Sequence, residues 1–303
     1  MWWHLLALAV SCIWGSTFAS SSVLIKAGLS PAEIMCLRFL FAYLLLLPFC
    51  RQRIIPKSWR DELLFVCMGI TGGSLYFLTE NYAIKLTGFT STVALIVCTT
   101  PILTAILNRL FWRSEPLTNR FFCGSFIALS GVSMVVLNGV FVLDDNPWVI
   151  LLSFLAALCW AFYSIILKVL EHRYSTSVIT RKTFFWGVIT MIPAVILLAS
   201  HGESQLIVSS GSMSSVSFNA ALLSENRIFA NLLFLSLIAS LGCFFAWNVV
   251  CKRISIVSAS NYLYFNPIVS LLVGAVFLDE KLTLMAVAGC LLTIAGVYLC
   301  NRR

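Results

Sequence analysis

Residues 101–131, PILTAILNRLFWRSEPLTNRFFCGSFIALSG, have a second copy at residues 267–296, PIVSLLVGAVFLDEKLTLMAVAGCLLTIAG. The first copy carries Pro101-Ile102, Glu115, Leu117-Thr118, Gly124 and Gly131-Val132; the second carries Pro267-Ile268, Glu280, Leu282-Thr283, Gly289 and Gly296-Val297. From the glutamates onward the copies are shifted by a constant 165 residues, and at the prolines by 166, so one residue has slipped in the turn between. Each copy reads as an apolar helix, a polar turn and a second apolar helix with glycines some turns in, which is a packing unit. A repeat half the chain long points to two related halves, residues 1–138 and 147–303, and not to a solenoid of short units.

Composition sets the class. Of 303 residues 60% are hydrophobic and only 11% charged, against about 25% charged in a soluble domain. Such a chain cannot clothe a water-facing surface, and nearly all of it is taken up by apolar runs. A net charge of +8 would suggest nucleic acid in a polar protein. Here the basic residues sit in short loops between apolar runs, where they set membrane orientation instead. The 11 cysteines lie mostly inside apolar stretches with no CxxC pair, as small hydrophobic filler does. His4, His172 and His201 make no metal-ligand spacing. No cofactor, metal or nucleic-acid partner is expected.

A bilayer core about 30 Å thick needs roughly 20 apolar residues per helical span. Ten runs qualify: 5–25, 32–49, 63–83, 91–111 and 121–137, then 147–167, 183–199, 229–250, 256–278 and 282–300. The first is read as a membrane helix and not as a cleaved signal, since it lacks a basic lead and is followed by further spans. Pro31, Pro48 with Pro56, Pro116, Asn146-Pro147 and Lys252-Arg253 mark joints. Fifteen lysines and arginines fall on one side, four on the other, and Arg38 within a span. That bias places both termini in the cytoplasm. Five spans per half is an odd number, so the second copy must enter the membrane upside down: Glu115 falls in a cytoplasmic turn and Glu280 in an external one. The fold expected is an all-α polytopic membrane protein of ten transmembrane helices in two inverted five-helix repeats. The serine-rich loop 201–227 reads as a solvated external linker.

Polar groups inside spans are costly and therefore candidates. Glu80, late in the third span within Tyr76-Phe77-Leu78-Thr79-Glu80-Asn81, either faces the interior, where it could bind a cation or shuttle a proton, or sits hydrated at the external interface near Lys85. Arg38 either meets an anionic group or Glu80, or snorkels to the headgroups. Asn81 and Asn248 hold matching places in spans three and eight, reading a substrate or simply joining helices. Trp14 and Trp160 correspond at a separation of 146, about ten residues into their spans. That is deeper than an interfacial anchor, so both are cavity candidates. Tyr76, Tyr163, Asn261, Tyr262, Tyr264 and Asn266 add polar tips suited to an amphipathic small molecule, or pack ordinarily. Pro101 and Pro267 should each kink a helix and free a carbonyl at membrane depth, as gating elements or as static kinks. Gly69-x-x-x-Gly73 permits close helix approach. Nucleotide-binding loops and intramembrane hydrolase motifs are absent, so no enzyme is expected.

These residues resemble the EamA family of the drug/metabolite transporter superfamily over nearly the whole chain. The marks are Ile13-Trp14-Gly15-Ser16-Thr17-Phe18, Glu80-Asn81-Tyr82-Ala83, Thr100-Pro101 and Glu115-x-Leu117-Thr118 running to Gly124 and Gly131. In the second half they are Trp160-Ala161-Phe162-Tyr163, Trp247-Asn248, Asn266-Pro267 and Glu280-x-Leu282-Thr283 running to Gly289 and Gly296. The resemblance implies a central cavity between inverted halves and export of small metabolites, often amino acids or drugs. One departure stands out: many members have a lysine eight residues after the first tryptophan, where this chain has Ser22, while the second half keeps Lys168.

The function expected is secondary transport of a small-molecule substrate across the cytoplasmic membrane by alternating access. Substrate contacts are assigned to Trp14, Arg38, Tyr76, Glu80, Asn81, Trp160, Tyr163, Asn248, Tyr262 and Asn266, and gating to Pro101 and Pro267. Glu80 is the candidate for proton or cation coupling, and spans five and ten either brace the halves or form a homodimer contact. The alternative from another class is a non-transporting membrane receptor or assembly protein.

Overall fold

A computed structural model describes residues 2–50, 55–87, 90–112, 118–138, 146–200, 207–209, 216–218, 225–277 and 283–301. Glu115, Pro116, Leu117, Glu280, Leu282 and most of the 201–227 loop lie outside the described residues. The chain runs α1 (Trp2–Lys26), α2 (Pro31–Leu46), α3 (Trp59–Thr87), α4 (Thr92–Trp112), α5 (Asn119–Leu137), α6 (Pro147–Leu170), α7 (Thr176–Ser200), α8 (Asn226–Ile254), α9 (Ile256–Val273) and α10 (Leu284–Asn301). Between α7 and α8, Ile207–Ser209 pairs antiparallel with Val216–Phe218. Among the described residues, the eight helices from α3 to α10 are long and apolar enough to cross a membrane.

The helix starts are written in short polar side chains. Ser30 caps α2 in a capping box: its backbone N–H donates to Glu33 at 2.7 Å and the Glu33 N–H donates back to Ser30 Oγ at 3.3 Å, with Pro31 at the first helical position. Thr118 caps α5 and Asn146, followed by Pro147, caps α6. α2 stops at Leu46 and not at 49, because Pro48 cannot continue a helix and the chain turns there. α7 begins at Thr176, seven residues before the expected 183, so Arg181 and Lys182 are helical.

Two departures from regular helix repeat between the halves. α3 and α8, the third helix in each set of five, both contain a π-helical turn, at Ile70–Ser74 and at Phe234–Gly242. The first accommodates close packing, since a Cβ on Gly72 would collide with the ring of Tyr163. α4 is interrupted at Cys98 and Thr99 just before Pro101, and α9 passes through a 3₁₀ segment, Asn261–Phe265, just before Pro267. The carbonyl that Pro101 leaves without its amide, that of Val97, accepts instead from Thr100 Oγ1 at 2.6 Å. The corresponding carbonyl before Pro267, that of Leu263, accepts from the amide of Asn266. Both breaks are therefore internally satisfied.

α5 and α10 form the most extensive helix pair. The four duplicated glycines make it possible, and their pairing is crossed. A Cβ on Gly124 would lie 2.9 Å from the carbonyl of Gly296, and one on Gly131 would lie 2.6 Å from that of Gly289. The earlier glycine of each copy thus meets the later glycine of the other, so the two helices run antiparallel. Their small-residue faces are spent on each other within one chain.

Candidate functional site

The centre of the bundle is aromatic and draws on both halves. Trp14 of α1 meets Trp160 of α6 edge-on at a centroid distance of 5.2 Å, Trp247 of α8 at 5.1 Å and Phe244 of α8 at 5.8 Å. Trp160 in turn contacts Tyr76 at 5.3 Å and Tyr163 at 5.0 Å. Trp160 is 5% exposed and Trp247 fully buried. The indole N–H of Trp14 donates to the carbonyl of Ala239 at 3.0 Å, while those of Trp160 and Trp247 are buried with no protein acceptor among the described residues. Unpartnered buried donors at the middle of a membrane bundle are sites where water or a ligand supplies the missing bond.

Around this cluster sit the two charged side chains. Glu80 is buried, and its Oε1 accepts from Tyr76 Oη at 2.9 Å; the two are four residues apart and so share one face of α3. It is not hydrated at an external interface. Arg38 is also buried, its Nε donating to Ser240 Oγ at 2.8 Å and its guanidinium lying over the Phe77 ring at 4.9 Å. It therefore points inward and does not snorkel. The two charges lie near enough to interact electrostatically, yet no direct ion pair forms between them.

The remaining sequence candidates separate. Tyr163 donates to Asn248 Oδ1 at 2.7 Å, and Asn248 donates to Thr180 Oγ1 at 2.9 Å, an interhelical network buried throughout. Asn81 does not mirror it: its amide donates back to the carbonyl of Phe77, four residues earlier on its own helix, at 2.7 Å. Tyr262 leaves the cluster and pairs with His4 Nδ1 at 2.9 Å. Asn266 keeps a buried Oδ1 with no partner among the described residues. Sequence reasoning did not single out Phe244 and Ser240. Trp247 stands among the marks of the family resemblance but not among the residues assigned to the site, although it precedes Asn248 as Glu80 precedes Asn81.

A second polar group ties the halves together at one end of the bundle. Arg173 pairs with Asp61 at 2.6 Å, Tyr174 Oη donates to the other oxygen of Asp61 at 2.7 Å, and the amide of Lys57 donates to Tyr174 at 2.8 Å. Lys182 of α7 donates to both oxygens of Glu62 at 2.7 and 2.6 Å, and the Trp186 indole to the first of them at 2.6 Å. Arg181 donates to the carbonyl of Cys50 at 2.9 Å. Asp61 and Lys182 are buried. Nearby, in the turn after α6, burial pushes the Glu171 carboxyl up to about 7 despite the neighbouring Lys252 and Lys168.

The model of the EamA-like transporter family matches residues 1–137 and again residues 147–302. The chain belongs to the EamA-like transporter family. It is therefore a multi-pass membrane transporter by family and by its apolar helices. Among EamA-like relatives, an uncharacterised transporter of Archaeoglobus fulgidus is 24% identical over 98% of this chain and 96% of its own length. A probable terminal-alkyne amino-acid exporter of Streptantibioticus cattleyicolor is 26% identical over 82% of this chain and 75% of its own. One solved crystal structure, 16% identical, shares the fold at a TM-score of 0.75 across 98% of this chain and 96% of that one. Among the described residues no group of three or more His, Cys, Asp or Glu side chains could hold a metal ion.

Proposed function

We propose that this chain exports a small amphipathic organic metabolite, of the amino-acid or drug class, across the cytoplasmic membrane by alternating access. In this reading α1 to α5 and α6 to α10 are inverted five-helix halves occupying residues 1–138 and 147–303, with both termini cytoplasmic. The crossed glycine pairs of α5 and α10 support the inversion, and support bracing as the role of those two helices. The observation that carries the reading is the meeting of Trp14 and Trp160, one from each half, beside the buried Glu80 and Arg38. Lipid-facing structure has no use for two buried charges and unpartnered indole donors; a passage for a polar molecule does.

Magnitudes separate a soft centre from a hard end. An edge-to-face aromatic pair contributes about 0.5–1.5 kcal/mol beyond its buried area, small enough to be exchanged for contacts with a substrate. Removing one partner of a fully buried ion pair costs about 3–5 kcal/mol; in the Lys182–Glu62 pair Lys182 is buried and Glu62 is 25% exposed, so its loss costs less than that. The end carrying Asp61, Glu62, Arg173 and Lys182 is then the closed gate, and by the charge bias it is the cytoplasmic one. Glu80 is the group proposed for proton or cation coupling. Metabolite profiles of medium from overexpressing and deletion cells test the reading. Enrichment of a few related small molecules on overexpression, reversed on deletion, is expected. Identical media would count against export and would favour the receptor or assembly role.

A further inference from the structure

We infer that Ser240 and the backbone carbonyl of Ala239, both on the π-helical turn of α8, are positioning groups that hold Arg38 and Trp14 in place. The inference rests on the reading of those two side chains as substrate contacts. In a regular α-helix the Ala239 carbonyl would accept from the amide of Cys243. Here that amide donates to the carbonyls of Ile238 and Ser240. The Ala239 oxygen takes the indole N–H of Trp14 at 3.0 Å. One residue on, the fully buried Ser240 Oγ accepts from Arg38 Nε at 2.8 Å. Tying Nε fixes the plane of the guanidinium, since its five N–H donors form a rigid fork. Among the described residues its two terminal nitrogens make no hydrogen bond, which leaves them for an anionic group. A wide turn is a known device for re-aiming groups at functional sites, and this one aims two side chains of the opposite half.

The twin turn in α3 shows what the scaffold does without the charge. There Ser74 Oγ lies 2.8 Å from Thr190 Oγ1 on α7. Both serines therefore reach from the third helix of one half to the second helix of the other. Where the first-half partner is Arg38, the second-half partner is Thr190, whose hydroxyl also bonds the carbonyl of Trp186 at 2.7 Å. The two serines stand one place apart in the register of Asn81 and Asn248, and only Ser240 meets a charged group. Ser240 thus has a function that Ser74 lacks, and Ser74 provides a control of matched structural cost.

The test compares wild type, Ser240→Ala, Ser240→Thr and Ser74→Ala in lipid nanodiscs and in proteoliposomes. With ¹⁵N-arginine labelling, the Arg38 Nε–H should exchange slowly in wild type, speed up by tenfold or more in Ser240→Ala, and recover in Ser240→Thr; these are order-of-magnitude expectations for loss of a bond to a charged group. Flux of radiolabelled phenylalanine, glutamate and arginine is read as KM against kcat. Ser240→Ala should raise KM roughly tenfold with kcat within about twofold, and Ser74→Ala should leave KM within about twofold. Unchanged Arg38 exchange in Ser240→Ala, or equal KM changes in the two alanine variants, would overturn the positioning role. Absence of any flux in wild type would instead sink the transport reading, while the exchange measurement still decides whether Ser240 holds Arg38.

Discussion

Gly131 and Gly289 stand backbone to backbone: a Cβ built on either would lie 2.6 Å from the carbonyl oxygen of the other. With Gly124 and Gly296 they bring α5 and α10 closer than any other side chain would permit. Gly131→Ala or Gly289→Ala should each cost about 1–3 kcal/mol, because the obstructing atoms include backbone of the facing helix, which cannot rotate away. The double variant should cost less than the sum, since both act on one contact. Thermal unfolding in detergent reads this, with Gly242→Ala as control: among the described residues a Cβ there would meet the Leu237 carbonyl at 3.3 Å and no atom of another helix within 4 Å.

The Lys182–Glu62 pair should govern access to the end it closes. Lys182→Ala leaves Glu62 held by the Trp186 indole alone. Cys50, 2% exposed in the same layer, should then react several-fold faster with N-ethylmaleimide, measured by mass spectrometry of its peptide. An unchanged rate would mean that the ion pair is not what holds that end shut.

Glu171 sets a pH dependence whose direction follows from its burial. Its carboxyl titrates at about 7 in the folded chain against an ordinary 4.5. Between those values the folded state holds a proton that the unfolded state has released, so stability falls as pH rises from 4.5 to 7 and levels off above. Glu171→Gln should flatten that part of the profile and raise the melting temperature above pH 7. Melting curves across pH 4.5–8 check it, and an unchanged slope would contradict it.

Glu80→Gln keeps an acceptor for Tyr76 Oη and removes the charge. Gradient-driven flux should fall by roughly tenfold or more, the range over which positioned proton-transfer groups act. The melting temperature should hold or fall, because the buried Arg38 loses the carboxylate it interacts with. Retention of full gradient-driven flux would take Glu80 out of coupling.

Much of this arrangement is legible in the residues alone, for identifiable reasons. Trp14, Trp160 and the four glycines stand out because the chain duplicates them, and a duplicated residue in an apolar run has a reason beyond hydrophobicity. Pro101 and Pro267 announce their breaks because proline lacks an amide. The start of α7 was hidden, since a lysine neutralised by Glu62 looks in sequence like a solvated one. Phe244 and Ser240 were hidden too: lipid and the bundle interior are both apolar, so periodicity does not separate a core aromatic from a lipid-facing one. Asn81 and Asn248 show the limit of the repeat itself. They hold matching positions, yet one bonds its own helix and the other joins three.

The most direct test of the central claim is counterflow of radiolabelled amino acids into preloaded proteoliposomes, comparing wild type with Trp160→Ala. Wild type should accumulate label from at least one amino acid, and Trp160→Ala, with flux normalised to the folded protein in each preparation, should lose tenfold or more in kcat/KM for it, the order expected when a central aromatic contact worth about 1.4 kcal/mol or more is removed. Counterflow by Trp160→Ala equal to wild type would show that the tryptophan seam between the halves is not where the cargo passes.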